Sequence, residues 1–315
     1  MPAHRPLLAT VVAVVALLLA ACGSRVPPPA AERASSQPVV LAAAEALPAG
    51  ATGSVDVGGR PVQVHVPPGY DPARPAPLVV VLHGFGSGTA RVDAALGLRD
   101  EALARGVLYA LPEGTEGPDG RRFWNASDAC CGADRGGVDD SAYLALVIRT
   151  LEASYAVDPG RVAVVGYSNG GFMAYRTACD HADLVAVAVS LAGAMPADDR
   201  ACRPSRAVSV VQAHGTADTV IRAGGGVRDG HAYPAAAESA AAWARLDECD
   251  PTPTSAAAGR DLDGAIPGPE TTVTTWARCS GGTSVELWSI AGAGHAPTLT
   301  GAFATTVLDL VTRER

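Results

Sequence analysis

The segment best suited to chemistry is Gly-Tyr-Ser-Asn-Gly at residues 166–170, which follows an apolar run and precedes a stretch with helical spacing. A serine between glycines at a strand-to-helix turn is typical of a nucleophile held in a strained backbone conformation, because glycine leaves room for the sharp turn. The N-terminus of the following helix favours negative charge that develops beside it. The alternative is a glycine-rich turn with an incidental serine. The flanking context favours Ser168 as a nucleophile for acyl transfer.

A serine hydroxyl is a weak nucleophile at neutral pH and needs a general base, which is most often histidine. Four histidines follow it in the chain: His181, His214, His231 and His295. His295 ends the stretch Ala-Gly-Ala-Gly-His, just after the last predicted strand, and the glycines would let a loop carry the imidazole over the sheet edge. We therefore predict His295 as the base. His214 ends a predicted strand and is expected to order the loop that carries the acid.

The acidic partner of the base should follow the strand that comes after the nucleophile unit, because the chain order in such sites is serine, acid, histidine. Residues 208–213 belong to a predicted strand that leads into His-Gly-Thr-Ala-Asp, which ends at Asp218. Catalytic groups gather at the carboxyl ends of parallel strands. Asp218 is therefore the predicted acid, and capping of a turn is its alternative role. Asp183 and Asp198 are rivals, but neither directly follows a strand.

A tetrahedral intermediate also needs two aligned N–H donors for its oxyanion. One should be the backbone N–H of Asn169, directly after the nucleophile, and the other should come from the loop after the strand at residues 78–82. That loop reads His-Gly-Phe-Gly, and Phe85 N–H is the predicted donor. His83 is expected to organise the loop.

Two further groups of residues have open roles. Asp139 and Asp140 open a predicted helix, where the helix dipole explains them without catalysis and a substrate contact is the alternative. Phe-Trp-Asn at residues 123–125 lies in an irregular stretch, where it could line a substrate pocket or pin the loop to the domain.

The elements that must position these residues alternate between strand and helix. Strands are predicted at residues 62–66, 78–82, 107–111, 161–167, 185–191, 207–213 and 285–290, and helices at 89–105, 140–154, 170–181, 234–247 and 299–312. This alternation predicts an α/β fold with a mostly parallel central sheet and helices on both faces. The stretches 112–138 and 250–272 are rich in Gly, Pro and Asp and are expected to be loops around the site or a small cap.

These segments together resemble the polyhydroxybutyrate depolymerase and feruloyl esterase-like family of secreted α/β-hydrolases, including LpqC-like lipoproteins. The resemblance runs from about residue 57 to the C-terminus. It is carried by Leu-His-Gly at 82–84, Trp-Asn at 124–125, Cys-Cys-Gly at 130–132, Val-Asp-Asp at 138–140, Val-Asp-Pro at 157–159, the 166–171 segment, Met-Ala-Tyr-Arg at 173–176 and His-Gly-Thr-Ala-Asp at 214–218. It implies the same triad and hydrolysis of carboxylic esters of polyhydroxyalkanoate, feruloyl or acetyl-xylan type.

The expected activity is therefore that of a serine esterase that works through an acyl-enzyme and requires no cofactor. A cell-envelope acyltransferase could use the same triad while excluding water, and a non-catalytic surface lipoprotein on a hydrolase scaffold is the other alternative. The formal net charge is −8 and all 24 basic residues are scattered arginines, so nucleic acid is not expected as a partner.

The N-terminal residues have the features of an export signal. Arg5 precedes the largely apolar segment 7–19, which is short for a membrane span but suited to a signal peptide. Leu-Ala-Ala-Cys at residues 19–22 resembles a bacterial lipobox, which implies that Cys22 carries lipid. A plain secretory signal is the alternative. We predict a signal peptide at 1–21, a Pro- and Ala-rich tether at 22–50, and a catalytic domain at 51–315.

The domain itself contains an even number of cysteines, as is common in exported proteins with disulfides: Cys130, Cys131, Cys179, Cys202, Cys249 and Cys279. The sequence does not choose among the possible pairings. Cys249 with Cys279 is the favoured pair, because a crosslink there would staple the loop-like stretch between them. No Cys-x-x-Cys pair or His-x-x-x-His is present, so no metal site is predicted.

Overall fold

Six parallel strands form the centre of the sheet on which the candidate site is built. A computed structural model describes residues 45–131 and 137–313, except for the side chains of residues 257 and 258. Within these residues the strands of the main sheet are β1 (Thr52–Val57), β2 (Arg60–His65), β3 (Ala76–Leu82), β4 (Leu108–Pro112), β7 (Val157–Tyr167), β8 (Val187–Leu191), β9 (Ser209–Gly215), β12 (Thr254–Arg260), β13 (Thr271–Trp276) and β14 (Val285–Ile290). Two small antiparallel pairs lie outside it, β5 (Thr115–Glu116) with β6 (Arg122–Phe123) and β10 (Gly226–Arg228) with β11 (His231–Tyr233).

The order of the strands is β1-β2-β4-β3-β7-β8-β9-β14-β13-β12. The block from β4 to β14 is parallel, and an antiparallel pair extends the sheet on each side. Because the strands of this block run in one direction, their carboxyl ends meet at one edge. The loops after β3, β7, β9 and β14 therefore lie together, and they carry the residues predicted to do chemistry.

Helices cover both faces of the sheet. They are α1 (Thr89–Leu96), α2 (Arg99–Ala104), α3 (Asp140–Ser154), α4 (Asn169–Asp180), α5 (Ala236–Leu246) and α6 (Gly301–Thr312). One apolar core joins the sheet to α3, α4 and α5, and a second joins it to α1, α2 and α6. All seven residues of β3 are buried, and its side chains alternate between the two cores. The predicted fold class, a mostly parallel sheet covered on both faces, is confirmed.

Two local predictions are wrong. The helix predicted over 89–105 is two helices, because Gly97 adopts a left-handed conformation with φ of 61° and ends α1, with its N–H bonded to the Asp93 carbonyl. The stretch 250–272 is not a loop or cap throughout, since β12 occupies residues 254–260 and pairs with β13. That strand reads Thr-Ser-Ala-Ala-Ala-Gly-Arg and pairs with β13 at the sheet edge, so the apolar alternation that identifies a half-buried strand is absent.

Three disulfides connect the described cysteines: Cys130–Cys131, Cys179–Cys202 and Cys249–Cys279. The third is the pair that the sequence favoured, and it links the end of α5 to the turn after β13. The first joins adjacent residues in the loop that precedes α3. Disulfides of this number are typical of proteins that fold in an oxidising compartment, which suggests an extracellular protein.

The predicted signal peptide, with Cys22, lies outside the described residues, as does most of the tether. Its last residues are described and already contact the domain: Leu47 N–H donates to the Tyr155 hydroxyl at 2.9 Å, and Gly50 N–H donates to the Val66 carbonyl at 3.2 Å. Contacts with the domain thus begin a few residues before the predicted boundary at 51. Among the described helices, none is both long and apolar enough to span a bilayer. In the same residues, no cluster of three or more His, Cys, Asp or Glu side chains could hold a metal ion.

Candidate active site

Ser168 lies at the sharp turn between the end of β7 and the start of α4. Its φ of 55° and ψ of −118° place it in a conformation that non-glycine residues rarely adopt. The turn requires a glycine at both positions. A Cβ at Gly166 would overlap the Gly170 carbonyl, and a Cβ at Gly170 would overlap the Leu82 carbonyl. The two glycines therefore allow the strand, the turn and the helix to approach closely. This arrangement presents the Ser168 hydroxyl at the carboxyl edge of the sheet.

His295 lies within hydrogen-bonding distance of both predicted partners. Its Nε2 is 2.9 Å from Ser168 Oγ, and its Nδ1 is 2.7 Å from Asp218 Oδ2. The loop that carries it follows β14 and is tied to the loop after the neighbouring strand β9, since Ala217 N–H donates to the Ala293 carbonyl at 3.0 Å. The structure thus brings the three residues together in the order hydroxyl, imidazole, carboxylate. This order allows the imidazole to accept the hydroxyl proton while the carboxylate stabilises the resulting charge.

The Asp218 carboxylate is buried and strongly held in its ionised form. Burial alone would raise its pKa, but hydrogen bonds from His214, His295 and the Ile221 backbone outweigh burial and hold the pKa well below its usual range. Oδ1 accepts the N–H groups of Val220 and Ile221 at 2.8 and 2.9 Å, which leaves Oδ2 for the imidazole. A carboxylate fixed in this way orients His295 with its Nε2 toward the serine.

His214 orders the acid loop, as the sequence predicted. Its Nε2 is 2.7 Å from the Ile221 carbonyl and 3.4 Å from Asp218 Oδ2, so its proton is donated chiefly to the carbonyl. Its Nδ1 accepts a hydrogen bond from Gln212 Nε2 at 3.1 Å, and the same amide nitrogen donates to the Gly193 carbonyl at 3.0 Å. Gln212 therefore sets the tautomer of His214. Sequence reasoning missed Gln212, since a glutamine inside a buried strand gives no sign of its partner.

The loop after β3 carries Phe85, one of the two predicted oxyanion donors. Both ring nitrogens of His83 make hydrogen bonds that hold this loop in place. His83 Nδ1 donates to the Gly84 carbonyl at 2.8 Å, and the Gly114 N–H donates to His83 Nε2 at 2.9 Å. Burial lowers the pKa of His83, which favours this neutral form. Because C=O and N–H of a trans peptide point in opposite directions, fixing the Gly84 carbonyl also fixes the direction of the Phe85 N–H. His83 thus organises the loop, as predicted.

Asn169, whose N–H is the other predicted oxyanion donor, also anchors a neighbouring loop through its side chain. Its Oδ1 accepts the Trp124 N–H at 2.7 Å, and its Nδ2 donates to the Trp124 carbonyl at 2.9 Å. The Trp124 indole N–H in turn donates to the His83 carbonyl at 2.9 Å. Both side chains are fully buried. Trp124 therefore pins its loop to the domain between the two oxyanion segments, and this role of the Asn169 amide was not predicted.

Asp139 and Asp140 have structural partners. Asp139 caps α3 by accepting the Ala142 N–H at 3.0 Å. Asp140 is fully buried, pairs with Arg60 at 2.7 Å and accepts the Asn125 N–H at 2.7 Å. These contacts explain both carboxylates without a substrate.

A cavity of about 500 Å³ opens beside Ser168. Its described lining residues are Gly84, Phe85, Ser87, Arg91, Val92, Ala95, Leu96, Tyr167, Ser168, Leu191, Val220, Arg228, His295, Ala296, Pro297 and Leu299. Most of this lining is apolar. The Tyr167 ring lies 5.3 Å from the His295 ring, and burial raises the pKa of Tyr167 to about 12, so its hydroxyl stays neutral. A mainly apolar cavity next to a hydroxyl and an imidazole suits an uncharged ester group.

Residues 58–264, about two-thirds of the chain, match the model of the Esterase family. The chain belongs to the Esterase family. Ser168 and Asp218 lie within the matched region, and His295 lies beyond it. Feruloyl esterase B of Piromyces equi is 27% identical over 75% of this chain and 42% of its own length. The esterase NocK of Nocardia uniformis subsp. tsuyamanensis is 34% identical over 56% of this chain and 48% of its own length.

Two further proteins extend the comparison. Poly(3-hydroxyalkanoate) depolymerase C of Paucimonas lemoignei is 29% identical over 50% of this chain and 37% of its own length. The solved structure of acetyl xylan esterase from Aspergillus awamori has a TM-score of 0.59 at 15% identity and covers 83% of this chain and 99% of that one. That likeness shows the α/β-hydrolase fold. The chain spans less than half of the length of each of these three curated relatives.

Proposed function

We propose that this member of the Esterase family hydrolyses carboxylic esters through an acyl-enzyme. The observation that carries the proposal is a chain of two hydrogen bonds, from Ser168 to His295 at 2.9 Å and from His295 to Asp218 at 2.7 Å. Ser168 and His295 also line the mainly apolar cavity. The relatives support the reaction class, since their names describe a feruloyl esterase, an esterase and a polyhydroxyalkanoate depolymerase. Feruloyl, acetyl-xylan and hydroxyalkanoate esters are the proposed substrate classes.

The reaction proceeds in two halves. Ser168 Oγ attacks the ester carbonyl as His295 Nε2 accepts the hydroxyl proton, and the oxyanion is bound by the N–H groups of Phe85 and Asn169. Collapse of this intermediate expels the alcohol, which takes the proton from His295. Water then attacks the acyl-enzyme, again losing a proton to His295, and the carboxylic acid leaves as Ser168 regains its proton. Asp218 remains ionised throughout and stabilises the imidazolium.

A fluorophosphonate probe tests the nucleophile directly. We expect the purified domain to be labelled once per molecule, and peptide mass spectrometry should find the label on Ser168, because only a serine activated by a base reacts with such a probe. The His295→Ala variant should fold but resist labelling. Labelling of a different serine, or none in a folded protein that also fails to hydrolyse 4-nitrophenyl acetate, would contradict the proposal.

We also propose that the esterase is exported and held on the outer face of the cell membrane by lipid on Cys22. The support is the sequence around that cysteine, together with the disulfides of the domain. A lipid-anchored protein should partition into the detergent phase of Triton X-114, and the Cys22→Ser variant should move to the aqueous phase. Wild-type protein found in the aqueous phase, or a variant that stays in the detergent phase, would exclude the anchor.

A further inference from the structure

The cavity beside Ser168 contains two arginines in an otherwise mainly apolar lining. Arg91 is an exposed residue of α1, and Arg228 is a partly buried residue of β10, so the two come from separate elements of the fold. Among the described lining residues, none carries a carboxylate. A guanidinium remains protonated at every physiological pH. The cavity wall therefore carries positive charge that no acidic side chain among the described lining residues neutralises.

The carboxylate closest in sequence to Arg91, that of Asp93, is occupied by other partners. Asp93 pairs with Arg99 at 2.6 Å and accepts the Tyr109 hydroxyl at 3.2 Å. Within residues 45–131 and 137–313, Arg91 makes neither an ion pair nor a hydrogen bond. Its guanidinium is thus available to an anion that enters the cavity.

Arg228 is only weakly paired. The carboxylate within 4 Å of it among the described residues is that of its neighbour Asp229, whose Oδ2 is 3.9 Å from Arg228 Nε and whose side chain is 70% exposed. The Nε atom is buried and has no hydrogen-bond partner among the described residues. The Arg228 side chain as a whole is 35% exposed and lines the cavity, so the accessible part of its guanidinium can bind an anion there. A carboxylate offers two oxygens that match the planar guanidinium.

We infer that the esterase prefers esters that carry a free carboxylate, which Arg91 and Arg228 bind while Ser168 attacks the ester carbonyl. This inference rests on the proposed hydrolysis. The apolar part of the lining would contact the carbon chain between the two groups, and the arginines would bind its charged end. Two kinds of ester share this chemistry. Half-esters of dicarboxylic acids carry the charge on the acyl side of the ester, and oligomers of hydroxy acids with a free acid end carry it on the alcohol side.

Two matched substrate pairs test the inference and distinguish the two sides. The acyl-side pair is 4-nitrophenyl hydrogen adipate and its methyl ester, and the alcohol-side pair is 4-acetoxybenzoate and its methyl ester. For at least one pair, kcat/KM should be about tenfold higher for the carboxylate, as expected of a charge-assisted contact that is partly open to solvent. The preference should shrink with added NaCl because salt screens exposed charges.

The double variant Arg91→Gln/Arg228→Gln should lower that ratio to about one. The control is Arg200→Gln, which removes a guanidinium that is 80% exposed, bonded to Asp198 and outside the cavity, and it should keep the wild-type ratio. Wild-type enzyme that hydrolyses both members of each pair equally, or a double variant that keeps the preference, would overturn the inference while leaving the hydrolysis proposal intact.

A binding measurement separates this inference from the reaction itself. Isothermal titration of methyl hydrogen adipate and of acetate into the Ser168→Ala variant needs no turnover. At least tenfold tighter binding of the adipate monoester, lost when Arg91 and Arg228 are also replaced, supports the inference even if no ester is cleaved. Equal binding with and without the two arginines would overturn it.

Discussion

Replacement of Ser168 by alanine is expected to lower kcat for 4-nitrophenyl acetate by a factor on the order of 10⁵, because no other described hydroxyl lies against His295 Nε2. Alanine keeps the Cβ of serine, so the strain at φ of 55° is unchanged and the fold should be retained. The measurement is the steady-state rate, with circular dichroism and the urea midpoint as checks on folding.

When residues act together in one reaction, the losses of rate caused by replacing each of them do not add. This non-additivity provides a second check on the roles of Ser168 and His295. The variant Ser168→Ala/His295→Ala should be no slower than Ser168→Ala alone. Ser255→Ala, on the exposed edge strand β12, is the matched control and should retain wild-type activity. A Ser168→Ala enzyme with more than a tenth of the wild-type rate would remove the nucleophile assignment.

Replacement of Gly166 by alanine is expected to destabilise the domain by about 4 kcal/mol or more, which places it among the severe substitutions. The added Cβ would overlap the backbone of Gly170 and lie 2.7 Å from the Gly171 nitrogen. These are backbone atoms at the start of α4, so no side-chain rotation relieves the clash. Soluble yield and the urea midpoint measure the effect.

Gly69→Ala is the matched control, since a Cβ there meets no atom within 4 Å and its φ is compatible with alanine. Its urea midpoint should equal that of the wild type or exceed it slightly. A Gly166→Ala domain that unfolds at the wild-type urea concentration would show that the turn can open without cost, which would contradict the close packing of strand and helix described above.

The sequence predicted the centre of the sheet well because several of its strands, such as β3 and β4, are continuous apolar runs. The predicted bounds of α3 and β14, 140–154 and 285–290, agree with the structure. The predictions failed where a segment takes its structure from residues distant in sequence, as at the edge of the sheet. β12 is made mainly of small residues, three of them alanines, and forms a strand because β13 offers backbone hydrogen bonds. Its strand character comes from that partner, which a local pattern does not reveal.

The candidate site shows the same division between local and distant information. The glycines at 166 and 170 indicate the nucleophile turn locally, and the chain order of serine, acid and histidine directs attention to Asp218 and His295. The contact of the Asn169 amide with Trp124 joins residues 45 positions apart, and no motif spans that distance. Sequence reasoning could therefore assign candidate roles at the turn, while the supporting hydrogen bonds required coordinates.

The separation of the three site residues along the chain has a consequence for when activity can arise. Asp218 and His295 are 77 residues apart, and Ser168 and His295 are 127 apart, so no local segment contains a working pair. Bringing them together requires the parallel pairing of β7, β8, β9 and β14, which carries a large loop-closure entropy and is intrinsically slow. An unfolded chain would therefore be catalytically silent, and any activity of the three residues would begin only once the whole sheet had formed.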